Sequence, residues 1–442
     1  MTALANRARS LLDKVSVAET QPQAIGRLVA FDGVMLEATG LSLPVGSGVR
    51  IGCNGQQDAF GEIIGFRNDH TLLMATGGSA QPSCGAPVTF DSHASEADVG
   101  PALLGRIIDA SGEPLDGHGA IQTGESWPLG GKCVNPLQTG RVTEAFDVGV
   151  RAINALLSCG VGQRVAIIAG SGVGKSVLMG QIIAGASADI IVVGLIGERS
   201  REVTDFVEKN MAGAVKRRCV VVAVPADHAP LLRLRAAMRA TAIAEYFRSR
   251  GKRVLLVIDS LTRIAHAQRE LGLSLGEPAT MKGYPPSALG LIPRLVERSG
   301  ADRATGGSIT AFYTVLADGD DPNDPVVDAA RSIVDGHIVL SRSMAEQAIF
   351  PAIDLGKSIS RVMHDIASQN HRKAASRLRN YWTHYEENRD LILMGAYVAG
   401  SDSDLDAAIA RRPEITAFLK QDTAQNVDFN KSVAQLEKGF AV

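Results

Sequence analysis

No stretch of this chain is apolar for long enough to cross a membrane. The longest runs, such as Ile190 to Ile196 and Val220 to Val224, fall far short of the roughly 18 residues that a span needs. Cysteine is scarce: Cys53, Cys84, Cys133, Cys159 and Cys219 are odd in number, widely scattered and free of any C-x-x-C pair or histidine cluster. That argues against a disulfide framework or a zinc site and predicts small core residues in a reducing compartment. An excess of positive charge is missing too. A formal net charge of −2 gives no overall footprint for nucleic acid, whose phosphates call for a basic domain or stripe. Internal repeats and low-complexity tracts are absent. Residues Met1 to Gln21 lack a signal-peptide pattern, because Leu4, Ala8, Leu11, Leu12 and Val15 are spaced for one helix face and interrupted by charges. They read as an amphipathic arm over residues 1–20.

What is present is an ordinary soluble composition, 45% apolar and 21% charged over 442 residues, enough for two or three domains with a sizeable core. Residues 21–95 hold short apolar runs (Gly26 to Phe31, Val49 to Cys53, Gly61 to Phe66, Thr71 to Met74, Pro87 to Phe90) separated by glycine, asparagine and aspartate. Short strands with turn signals at this spacing predict a small β-barrel or sandwich. With three arginines, no lysine and six acidic residues, its net charge of −3 disfavours nucleic-acid binding. From 96 to 365 apolar strands alternate with helical patterns. Arg164 to Ala169, Ile190 to Ile196, Cys219 to Val224 and Val254 to Ile258 read as buried strands, with helices over Arg201 to Met211 and from Pro230. This alternation predicts a mostly parallel sheet covered by helices. Residues 366–442 read as a helical domain, including Ala374 to Trp382, Asn388 to Met394, Ser403 to Ile409 and Glu414 to Leu419.

The chemistry centres on Ala169 to Ser176, Ala-Gly-Ser-Gly-Val-Gly-Lys-Ser, between an apolar strand and the apolar-periodic Val177, Leu178, Ile182 and Ile183. Such a strand, loop and helix forms a phosphate cradle: glycines turn backbone N–H groups inward around an anion, the helix N-terminus adds its positive end, Lys175 reaches the β- and γ-phosphates, and Ser176 can hold Mg²⁺. The first position is Ala169 where the strict pattern has glycine. ATP is the expected ligand, with Gly170, Ser171, Gly172, Val173, Gly174, Lys175, Ser176 and Val177 around its phosphates.

Two carboxylates are candidates for the chemistry. Val254 to Asp259 is an apolar strand that delivers Asp259 to its C-terminal end, the edge where open α/β sheets bind ligands; with Ser176 it would hold the Mg²⁺ shell, while the bland alternative is a helix N-cap. Glu198 follows another apolar strand and could orient the water that attacks the γ-phosphorus. Without context, a solvated helix start with Arg199 paired to Glu202 would be the better reading.

The context is supplied by a combination of motifs: the glycine-rich loop, Gly197 to Val203, Asp259 to Arg263, Ala267 to Glu270, Tyr284 to Ser287, Gly307 to Leu316, Asp335 to Arg342 and Ser358 to Arg361. Together they resemble the type III export ATPases, which are similar in turn to the catalytic subunits of rotary F-type ATPases. The segment Gly319 to Arg331 looks more like the flagellar branch than the virulence-secretion branch. The resemblance implies an α/β fold with a small N-terminal β-barrel, a central RecA-like P-loop domain and a C-terminal helical domain. It implies a Mg²⁺-dependent ATPase driving flagellar protein export as a homohexamer at the cytoplasmic face of the inner membrane. Its implied partners are a stator or regulator protein bound through the N-terminal arm, a central stalk protein, the export gate, and export substrates with their chaperones. By resemblance, Lys175, Glu198, Arg199 and Arg263 line the catalytic site, Asp259 lies in the metal shell, Arg361 is offered to a neighbouring subunit, and Phe350 lies beside the adenine. Family members often carry tyrosine at this last position, so stacking is retained here without the hydroxyl. For Arg342 the expectation is an ordinary surface salt bridge, worth at most about 1 kcal/mol.

The alternatives are a virulence secretion ATPase, a rotary synthase catalytic subunit and a hexameric nucleic-acid translocase. The acidic barrel weighs against the last. The loop weighs against the synthase subunit, for which Gly-Gly-Ala-Gly-Val-Gly-Lys-Thr is expected.

Overall fold

A computed structural model describes residues 25–31, 35–53, 58–77, 82–132, 135–317, 321 and 324–440. The amphipathic arm expected over residues 1–20 lies outside the described residues, as does Cys133. The chain divides into two compact units, Met1–Ser95 and Glu96–Val442.

In the first unit six strands close into a barrel: β1 (Ile25–Phe31), β2 (Met35–Thr39), β3 (Gly48–Ile51), β4 (Ala59–Arg67), β5 (His70–Gly77) and β6 (Pro87–Phe90), ordered β1-β2-β5-β4-β3-β6. Every neighbouring pair is antiparallel. Alternating side chains from the strands, among them Leu28, Leu36, Ala38, Val49, Ile51, Ile63, Leu73 and Val88, fill the interior. Strand β2 has no strand signature, since Met, Leu, Glu and Ala favour helix in isolation. It forms because β1 and β5 hydrogen-bond it on both sides and its Leu36 and Ala38 are buried.

The second unit is built on a sheet whose main-path strands are β7 (Ile107–Ile108), β8 (Arg164–Ala169), β9 (Ile190–Ile196), β10 (Cys219–Val224), β11 (Arg253–Asp259), β12 (Ser308–Leu316), β13 (Gly336–Leu340) and β14 (Ile353–Ser360). Its main path runs β14-β13-β8-β12-β11-β9-β10-β7. Neighbours are parallel throughout except for the antiparallel pair β13 and β14 at one edge. Strands β9 and β10 are buried at every residue, as expected of a parallel sheet covered on both faces.

The helices after residue 366 share the sheet's own core. Leu378, Trp382, Ile415, Leu436 and Phe440 pack in one cluster with Val165, Ile167 and Ile353. Polar ties reinforce the packing: Arg379 donates to the carbonyls of Leu355 (2.7 Å) and Ser358 (2.6 Å), and Arg151 donates to the Phe418 carbonyl at 2.7 Å. The separate stretches Ser403 to Ile409 and Glu414 to Leu419 are one helix, Ser403–Leu419, which continues through Pro413. Proline removes one ladder hydrogen bond, but Leu405, Ala408, Ile415, Phe418 and Leu419 are buried along this helix and offset that loss. The helix Phe429–Phe440 lies within the stretch expected to be helical.

The cysteine expectation needs one correction. Cys53, Cys159 and Cys219 are buried free thiols, but Cys84 is exposed, held at a barrel turn near the carbonyls of Leu28 and Val29. Burial pushes the Cys159 and Cys219 thiols up to about 12, so both are inert at neutral pH.

Candidate functional site

The parallel strands end together at their C-terminal edge, where β8 gives way to the glycine-rich loop, β9 to Gly197 and Glu198, and β11 to Asp259. Gly172 (φ 79°) and Gly174 (φ 96°) take the left-handed conformation that other residues adopt only at a cost, and Gly174 is the N-cap of α1 (Lys175–Gly185). Ala169 is different. It is the last residue of β8, is 1% exposed and lies outside the left-handed region, so a methyl group fits where the strict pattern has glycine.

Lys175, at the first turn of α1, points to the two carboxylates. Its ammonium donates to Asp259 Oδ1 and, at 3.5 Å, to Glu198 Oε1. The side chains are 13% (Lys175), 15% (Glu198) and 5% (Asp259) exposed, so these charges act in a medium much less screening than water. Burial works against the Lys175 charge, but the carboxylates of Asp259 and Glu198 outweigh it and hold the pKa above the ordinary lysine value. Glu198 is raised above the ordinary glutamate value, chiefly by burial and against the pull of Lys175, with nearby Glu202 adding to the rise and Arg263 opposing it.

Asp259 does not cap the following helix. Ser260 does so, accepting from the Arg263 N–H at 3.3 Å, which leaves the Asp259 carboxylate for Lys175 and for Thr314, whose hydroxyl donates to Oδ1 at 2.6 Å. Arg263 sits on the first turn of that helix, Leu261–Ser274, against Gly197. Its charge acts on Glu198, and its buried Nε has no hydrogen-bond partner among the described residues. Ser176 and Val177 lie exposed on the first turn of α1. Phe350 is 43% exposed, and its ring edge lies 3.8 Å from where a Gly174 Cβ would stand.

Two of the sequence candidates lie apart from this cluster. Arg199 is 84% exposed and turns to Glu202 at 3.8 Å. Arg361 follows β14 at the opposite end of the hairpin from the phosphate loop. Ser360 pairs with Gly336, whereas Leu340 pairs with Ile353 and Val339 with Ile168 of the loop-bearing strand. Four strand steps of about 3.3 Å, roughly 13 Å, separate Arg361 from its own chain's edge of the site. There it donates to the Arg331 carbonyl at 3.3 Å.

Sequence reasoning passed over Arg342. Beyond the expectation of a surface salt bridge, its guanidinium donates to the Ser171 carbonyl of the phosphate loop at 3.3 Å. It follows β13, the parallel neighbour of β8, so it emerges at the same sheet edge as the loop. That adjacency is a signal which becomes readable only once the strand order is known.

Residues 149–360 match the ATP synthase alpha/beta family, nucleotide-binding domain, and residues 367–438 match the T3SS EscN ATPase C-terminal domain. The chain is 47% identical to the flagellum-specific ATP synthase of Pseudomonas aeruginosa over 98% of this chain and 97% of that one. The assembled ATPase EscN of the enteropathogenic E. coli type III secretion system superposes with a TM-score of 0.88 at 40% identity, covering 94% of this chain and all of that one. A second structure shows EscN with its central stalk EscO, with a TM-score of 0.85 at 40% identity, covering 94% of this chain and all of that one. Near-half identity over almost the whole length, on the same fold, means that the chain belongs to the family of flagellum-specific ATP synthases and type III secretion ATPases.

Proposed function

We propose that this chain hydrolyses ATP to drive type III export of flagellar proteins, as a homohexamer whose sites are shared between neighbours. The observation that carries the reading is Lys175 held between Glu198 and Asp259 beside a glycine-rich loop at the sheet edge. The loop N–H groups and the α1 N-terminus bind the phosphates, Lys175 exchanges its carboxylate partners for phosphate oxygens, and Phe350 offers a ring to the adenine. Glu198 orients and polarises the attacking water, with Arg199 and Arg263 lining the site. Arg361 completes it on the adjacent subunit.

The donor set fits Mg²⁺. A hard cation takes oxygen ligands and needs only one or two from the protein beside substrate phosphates; the Ser176 hydroxyl and the Asp259 carboxylate are such donors. When bound, Mg²⁺ neutralises charge on the β- and γ-phosphates.

Beyond the site, residues 96–365 serve as the motor domain and 366–442 as the helical output domain, with the barrel over 21–95 and the arm over 1–20. The arm docks on a stator or regulator protein, and the hexamer meets a central stalk and export gate at the cytoplasmic face of the inner membrane, where chaperones deliver substrates. No helix among the described residues is long and apolar enough to cross a membrane. The flagellar reading is favoured over virulence secretion by the segment Gly319 to Arg331 and by coverage: a flagellum-specific relative matches at 47% identity over 98% of this chain, a type 3 secretion system ATPase at 46% over 85%. Deleting the gene is expected to abolish motility and filament assembly in the source organism. Intact filaments with lost secretion of other proteins would point to the virulence branch instead.

Two further expectations concern the carboxylates. Glu198→Gln retains nucleotide binding but loses turnover by about 10²- to 10⁴-fold, since an amide cannot act as the general base; Asp259→Ala instead weakens the Mg²⁺ dependence of binding. Nucleotide and Mg²⁺ titrations check this, and identical behaviour of the two variants would contradict the separation of roles. Because the Glu198 pKa is raised, its reactive carboxylate form is lost as pH falls earlier than for a free glutamate. The acid limb of kcat/KM, which reports the free enzyme, is therefore expected above the ordinary value of about 4.3, and it should be absent from the residual rate of Glu198→Gln.

A further inference from the structure

Thr314 belongs to none of the family-like roles above, yet it touches the centre of the site. It lies on β12, between the strand that carries the phosphate loop and the strand that ends at Asp259, pairing with Ile167 on one side. On the other side the register of Ile258 with Tyr313 brings it alongside Asp259. The residue is 0% exposed. Its hydroxyl donates at 2.6 Å to Asp259 Oδ1, the same oxygen that accepts from the Lys175 ammonium. A carboxylate oxygen has two lone pairs and can accept from both, but the two donors differ in freedom. Lys175 ends a flexible four-carbon stem that reaches for phosphate, whereas Thr314 is β-branched, stiff at χ1 and fixed in a central strand.

We propose that Thr314 is a positioning residue that holds the Asp259 carboxylate in place when Lys175 leaves it for the nucleotide phosphates, so that Asp259 stays aimed at the Mg²⁺ shell. This rests on the reading of Asp259 as a metal-shell residue. Without the hydroxyl, departure of the ammonium leaves Oδ1 with neither donor, and the side chain is free to turn. A purely structural role makes a different demand: the hydroxyl would need only some acceptor, and the Ile258 carbonyl at 3.5 Å would serve without reference to metal.

The test is a Mg²⁺ titration of fluorescent ADP binding to the full-length chain, starting from metal-free buffer, for wild type, Thr314→Val, Thr314→Ser and Asp259→Asn. Thr314→Val is expected to raise the midpoint Mg²⁺ concentration by about tenfold or more, the usual effect of removing the partner of a metal-holding carboxylate, with Mg²⁺-free nucleotide binding unchanged. Thr314→Ser, which keeps the hydroxyl, stays near wild type. Thr314→Ala, which also lacks the hydroxyl, must shift the midpoint in the same direction and serves in place of valine if that variant does not fold. A shifted midpoint in Asp259→Asn with none in Thr314→Val or Thr314→Ala overturns the role of Thr314. An unmoved midpoint in Asp259→Asn overturns the metal-shell reading itself, and the role of Thr314 with it.

Discussion

Lys175→Ala is expected to lose ATP hydrolysis by about 10²- to 10³-fold or more, the scale of removing one preorganised donor from a developing anion. Phosphoryl transfer leaves the protein little covalent chemistry, so positioning and electrostatics provide most of the rate. Lys175 carries its charge on a flexible stem at this edge, paired with Asp259 and Glu198. The fold should survive. Asp259 keeps the Thr314 hydroxyl, and Glu198 keeps the field of Arg263 and is already displaced toward its neutral form. Phosphate release by purified protein measures the loss, and circular dichroism checks the fold. Undiminished release would remove this loop from the mechanism.

Arg361→Ala is expected to bind ATP almost normally and to hydrolyse it about 10³- to 10⁵-fold more slowly. An arginine offered in trans to the γ-phosphate contributes on that scale, roughly 4 to 7 kcal/mol. The position of Arg361 in its own chain makes the intramolecular alternative hard to sustain. It stands at the far end of the β13–β14 hairpin from the loop, exposed and bonded only weakly to the Arg331 carbonyl. Its removal therefore costs little stability. Specific activity of the wild type should rise with protein concentration as rings form. A rate that is flat with concentration and unaffected by the substitution would place the stimulating group elsewhere.

Much of this was legible in the sequence because the signals were local and chemically strict. Gly172 and Gly174 sit where the backbone is left-handed, and the buried strands of a parallel sheet read as unbroken apolar runs, so Glu198 and Asp259 could be placed at strand ends without coordinates. What was hidden depended on tertiary neighbours. Strand β2 is composed of helix-favouring residues and exists because two other strands flank it. Pro413 marks a helix boundary by its own chemistry, yet buried side chains on both sides keep the helix intact. Thr314 is one polar residue in a buried run, and Arg342 one arginine after a strand. Each acquires meaning only from the strand order that sets it beside Asp259 or Ser171.

The central claim is a site divided between two copies of the chain, and mixing two dead variants tests it most directly. Lys175→Ala and Arg361→Ala are each expected to be nearly inactive, but a ring containing both would have interfaces where an intact loop faces an intact Arg361. Size-exclusion chromatography establishes that mixed rings form, and phosphate release is then measured on that fraction. Activity well above either variant alone is the expected result; mixed rings that remain as inactive as their parents would contradict a shared site.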